Sequence, residues 1–86
     1  MTTIIMTDCK TPFGSYVDFN VKGSGERVAE VDRSDGKYKI YVGKILTLVG
    51  ERTGKQSAIS FAQENIKGLF REQVEFKWNV LTYSFK

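Results

Sequence analysis

From Tyr16 the chain alternates cleanly: Val17, Phe19 and Val21 fall on one side, while Tyr16, Asp18, Asn20 and Lys22 fall on the other. A period of two is that of a half-buried strand. Gly23-Ser24-Gly25 supplies a turn, and Arg27 to Asp32 returns as a second strand with Ala29 and Val31 on its apolar side. The next break, Ser34-Asp35-Gly36, is the strongest turn signal in the chain, because Asp-Gly accepts the positive φ values of a tight hairpin. It joins strand 26–33 to strand 37–42, in which Tyr38, Ile40 and Val42 face in and Lys37, Lys39 and Tyr41 face out. Gly43-Lys44 has glycine where a type II′ turn prefers it, which predicts another two-residue connection into a strand from Ile45 to Val49. Upstream, residues 3–7 read as a short strand and Thr11-Pro12-Phe13-Gly14-Ser15 as a loop.

Over residues 55–70 the period changes to 3.6. Ile59, Ala62, Ile66 and Leu69, widened by Ala58 and Phe70, form one apolar stripe of a helix that packs on the sheet. Thr53 followed by Gln56 fits a capping box at its start, and Gly68 either ends the helix or weakens it. The alternation then resumes with Val74, Phe76, Trp78 and Val80 on one face, Phe76 and Trp78 being expected core residues. Beyond Val80 the apolar set moves to Leu81, Tyr83 and Phe85, which predicts a bulge or a strand covered on its other side. The predicted fold class is α+β: an antiparallel sheet of about five to six strands, arranged as a hairpin meander and packed against one helix, in a single domain over residues 1–86.

Composition narrows the chemistry. Of 86 residues 41% are hydrophobic and one is proline, which describes a globular chain. With one cysteine and no histidine, an intramolecular disulfide, a Cys/His zinc site and every histidine-based catalytic arrangement are excluded. Cys9 beside Lys10 reads as a passive thiol, and no cofactor is expected. The opening Met-Thr-Thr-Ile-Ile-Met-Thr-Asp lacks the basic and apolar regions of a signal peptide, and no stretch approaches the roughly 18 apolar residues of a membrane span. A cytoplasmic protein without membrane partners is the expectation.

The formal charge of +3 is unevenly distributed. Residues 1–36 hold four basic and six acidic groups, residues 37–55 hold five basic groups and Glu51, and residues 56–86 hold four basic and three acidic groups. Cations therefore concentrate in the middle, where Lys37, Lys39 and Tyr41 share a strand face suited to binding phosphate and stacking a base. The same face also reads as an ordinary solvated one whose lysines discourage aggregation. Arg52 and Lys55 lie at the predicted helix start, where free amides and the helix dipole favour an anion. Gly50 to Ser57 sits where a phosphate-binding loop would, but only three residues separate its glycines, and Gln56 replaces the required Ser or Thr. Nucleotide hydrolysis is set aside. Asp8, Glu64, Glu72 and Glu75 form no spaced carboxylate pair, so no enzyme is expected.

The hairpins ending in Asp35-Gly36-Lys37-Tyr38-Lys39-Ile40-Tyr41-Val42, followed by a helix carrying Ala58, Ile59, Phe61 and Ala62, resemble in layout the small accessory proteins of tailed phages. Some of those bind nucleic acid, and some neutralise host defence, including RNA-binding inhibitors of endoribonuclease toxins. The resemblance spans about residues 26–70 and carries over no site residue. A non-enzymatic nucleic-acid-binding accessory protein, with RNA as the favoured ligand, is the expected function, and a protein-only inhibitor is its alternative. In the first, the chain binds RNA or single-stranded nucleic acid through Lys37, Lys39, Lys44, Arg52 and Lys55, with Tyr41 stacking a base. In the second, it is a protein-only inhibitor that occupies a host protein such as a nuclease or toxin through the same face or a sheet edge, anchored by Tyr16, Tyr41 or Tyr83. Alternation leaves open which edge is unpaired, and with it the oligomeric state.

Overall fold

The computed structural model describes residues 1–12 and 14–79. Seven elements follow in the order β1 (Thr2–Thr11), β2 (Gly14–Val21), β3 (Arg27–Ser34), β4 (Lys37–Val42), β5 (Thr47–Arg52), α1 (Lys55–Lys67) and β6 (Val74–Trp78). They form a six-stranded sheet, ordered β5-β4-β3-β2-β1-β6, with α1 packed on one face. The class is α+β, as the two periods predict.

The sheet is mixed where an antiparallel one was expected. β1 to β5 pair as a continuous antiparallel meander, but β6 pairs parallel to β1, with Thr2 opposite Val74 and Ile4 opposite Phe76. The cause is α1. A helix leaving β5 at one edge carries the chain across the sheet to the other edge, and β6 enters there running with β1; parallel strands need such a crossover.

β1 is also longer than the short strand expected over residues 3–7. It stays paired with β2 until Thr11 meets Gly14, so the anticipated loop shrinks to the connection between them. The β3–β4 turn forms as read, with Asp35 at φ 54 and Gly36 at φ 75, the paired positive angles of a type I′ turn. The β4–β5 connection does not. Val42 pairs with Thr47, leaving a four-residue loop from Gly43 to Leu46 that closes with a Leu46 N–H to Gly43 carbonyl bond of 3.1 Å. β5 therefore starts after the predicted Ile45, which becomes a loop residue.

On the helix side, Ile4, Val17, Phe19, Val31 and Ile40 are fully enclosed beneath Ala58, Ile59, Ala62 and Ile66. The register shift at Phe19/Asn20 leaves Val28 as an extra β3 residue, and it is buried beside Ala29. The capping box does not form: the helix N-cap is Gly54, in extended conformation without a side-chain cap bond, and Ala58 N–H reaches its carbonyl at 3.0 Å. Thr53 stands one residue too early to reach the N3 amide. Gly68 does end the helix, so Leu69 leaves the apolar stripe and is 52% exposed. Phe76 packs against the core, but Trp78 is 45% exposed, because α1 lies chiefly over β3, β4 and β5. The phase switch at Leu81, Tyr83 and Phe85, like Phe13 in the expected loop, lies outside the described residues.

Close approach of α1 to β5 depends on Gly50. A β-carbon there would stand 2.8 Å from Cε2 of Phe61, whose ring is held from another side by the Arg52 guanidinium at 4.0 Å from its centroid. Gly50→Ala is expected to lower stability by about 1–3 kcal/mol, the usual cost of overpacking. In a Phe61→Ala background the same substitution should cost almost nothing; urea unfolding of the four variants measures the coupling.

Candidate binding face

The face of the sheet turned away from α1 is mainly polar, with Ile5 on β1 and Leu48 on β5 among its aliphatic exceptions. Register, fixed by the Asp35-Gly36 turn, sets Ser34 opposite Lys37, Asp32 opposite Lys39 and Glu30 opposite Tyr41. On the far side of β3, Tyr16 stands opposite Asp32 and Asp18 opposite Glu30; on the far side of β4, Glu51 stands opposite Lys39. Lys39 is thus flanked by a carboxylate on each neighbouring strand. At the end of the sheet near the β3–β4 turn, Tyr16, Asp32, Lys39 and Tyr41, with Ser15 and Ser34, line an open recess of about 320 Å³.

The six cationic and aromatic residues singled out from the sequence do not converge. Lys37, Lys39 and Tyr41 share the open face, and none of the ion pairs among the described residues involves either lysine. Lys44 lies in the β4–β5 loop, with Nζ 3.5 Å from Glu26. Arg52 is on the helix side, stacked over Phe61 and donating from Nη1 to the Glu51 carbonyl at 2.6 Å. Lys55 is also on that side, and its ammonium is 2.6 Å from Asp8 Oδ2. The helix start therefore offers cations already engaged, with no acidic residue in its first turn and no side-chain cap.

What the sequence reading missed is the acidic row beside β4. Asp18 and Glu30 stand opposite each other on β2 and β3, with Asp32 two residues further along β3, and Arg27 faces the first two, with Nε 3.6 Å from Asp18 and Nη1 3.5 Å from Glu30. One Asp18 oxygen, Oδ1, is enclosed without a hydrogen-bond partner. Partial burial, a hydrogen bond with Asp32 and the charges of Asp32 and Asp18 together raise the Glu30 carboxyl to about 7, against the lowering effect of Arg27. Among the described residues, no group of three or more His, Cys, Asp or Glu is placed to hold a metal ion. No helix there is long and apolar enough to cross a membrane.

Because Glu30 holds its proton more tightly folded than unfolded, stability should fall as pH rises from about 4.5 to about 7. Below that window both states are protonated; above it the folded state bears the full repulsion. Glu30→Gln is expected to flatten this dependence and to raise the urea midpoint at pH 8 more than at pH 5. An unchanged pH profile would refute the assignment.

No protein-family model, no curated protein and no solved structure significantly matches this chain.

Proposed function

We propose that this chain is a small non-catalytic protein that acts by docking a partner protein on its open sheet face, with Tyr16 and Tyr41 as the anchors. The observation that carries this reading is the interleaving of charge over the face that holds the two tyrosines: Arg27, Lys37 and Lys39 share it with Asp18, Glu30, Asp32 and Glu51, and Lys77 and Glu75 continue the mixture to the β6 edge. A polyanion laid across it would meet a carboxylate beside almost every cation. A protein surface supplies both signs, and half-buried tyrosines within a mixed polar rim are typical anchors of such contacts. The layout resemblance to phage accessory proteins makes a host nuclease or toxin the partner class to try first.

Single-stranded RNA is a second reading, favoured by one corner of the face. Lys37, Lys39 and Tyr41 are contiguous beside a recess of about 320 Å³, room for one stacked base with lysines at its flanking phosphates. Lys44, Arg52 and Lys55 take no part in it, which limits it to a short contact.

Affinity purification from host cells, with and without ribonuclease, separates the two. The expected result is a protein partner retained after ribonuclease treatment and lost with Tyr41→Ala or Tyr16→Ala, each weakening binding at least about tenfold. If only RNA is captured, and its affinity falls steeply between about 50 and 200 mM salt and with Lys37→Ala/Lys39→Ala, the RNA reading replaces the first.

A further inference from the structure

Asp32 and Lys39 stand opposite each other on β3 and β4, and both line the recess of about 320 Å³ that Tyr16 and Tyr41 also line. Neither takes part in the ion pairs among the described residues, so a carboxylate and an ammonium stand side by side without neutralising each other. Glu30 shares one hydrogen bond with Asp32, out of the roughly four lone-pair sites a carboxylate has. The recess therefore offers an acceptor and a donor next to two phenol rings.

Charge at the recess differs from that of the face as a whole. Arg33 and Lys39 line it, Lys37 stands opposite the lining residue Ser34, and Asp32 is the one acid among the described lining residues. None of these three cations is engaged in an ion pair among the described residues. Such a corner suits a ligand that combines a flat ring, N–H donors and a negative group. A single nucleotide has all three, and it reaches only this corner, clear of the Asp18 and Glu30 carboxylates that a longer polyanion would meet.

We infer that the recess recognises guanine, its ring against Tyr16 and Tyr41, its N1–H and N2–H donating to Asp32 and its O6 accepting from Lys39. The inference rests on the single-stranded RNA reading of this corner and names the base. Guanine's Watson–Crick edge sets two adjacent N–H donors beside a carbonyl oxygen, the complement of a carboxylate beside an ammonium. Cytosine and adenine offer the carboxylate one amino group beside a ring acceptor, and uracil one N–H between two carbonyls. Lys37 and Arg33 are left for the flanking phosphates. A free guanine nucleotide and a guanine within a single strand share this chemistry.

Amide NMR titration of the full chain with the pentaribonucleotides UUGUU, UUCUU, UUAUU and UUUUU, and with GMP and AMP, tests this. The expected result is that UUGUU binds at least about tenfold more tightly than the other three, with shifts centred on Tyr16, Asp32, Lys39 and Tyr41. Asp32→Asn and, separately, Lys39→Met should each reduce that preference while circular dichroism stays unchanged, whereas Lys37→Ala should weaken all four strands alike. GMP binding as tightly as UUGUU, with AMP excluded, supports a free nucleotide as the source; UUGUU exceeding GMP supports a strand. Equal binding of the four strands would overturn the guanine assignment and leave the RNA reading standing. A guanine preference that survives both Asp32→Asn and Lys39→Met would overturn the assignment to this recess, and no binding of any nucleotide or strand would overturn the RNA reading with it.

Discussion

A two-residue turn, with Asp35 and Gly36 both at positive φ, locks β3 to β4 in one register, and the separation of the two sheet faces rests on that register. A slip of one residue would turn Ile40 and Val42 to solvent and press Lys39 and Tyr41 against α1. The same pairing sets Asp32 beside Lys39 and Glu30 beside Tyr41, so the core and the binding face are two readings of one constraint.

That constraint explains which parts of the molecule were legible in the sequence. Tight turns and strict alternation are local, and they gave β2, β3, β4 and the inward set Val17, Phe19, Val31 and Ile40 directly. The register across Asp35-Gly36 was equally available, and following it would have set Glu30 and Asp32 against the Lys39 and Tyr41 face. What a single chain cannot display is pairing between strands distant in sequence. The bulge that inserts Val28 and the approach of Glu51 to Lys39 each depend on a partner strand settling into place. The cations at Arg52 and Lys55 were misplaced for a related reason, because helix packing turns Arg52 onto Phe61 and sets Lys55 against Asp8.

One helix serves a six-stranded sheet here, and that disproportion shapes the surface. A helix spans only a few strands, so α1 covers the centre and the β5 side, while Trp78 and Leu69 remain partly in solvent. The uncovered face is mainly polar, and its cross-strand charges set Asp18 and Glu30 against one arginine while Asp32 adds its charge beside Glu30. Local electrostatic cost is accepted there because the alternative, an apolar second face, would require a further layer.

The parallel pairing of β6 with β1 has a consequence for the order in which the fold is completed. Thr3 and Glu75, bonded at 3.2 Å, are separated by 72 residues. During synthesis the meander and the helix emerge first, and the outer edge of β1 stays unpaired until residues 74–78 follow. Loop-closure entropy and late arrival both favour the local hairpins of the meander over this pairing at early times. Until β6 docks, the outer edge of β1 is a strand edge on which another chain can pair, and the rate of that docking sets how long the interval lasts.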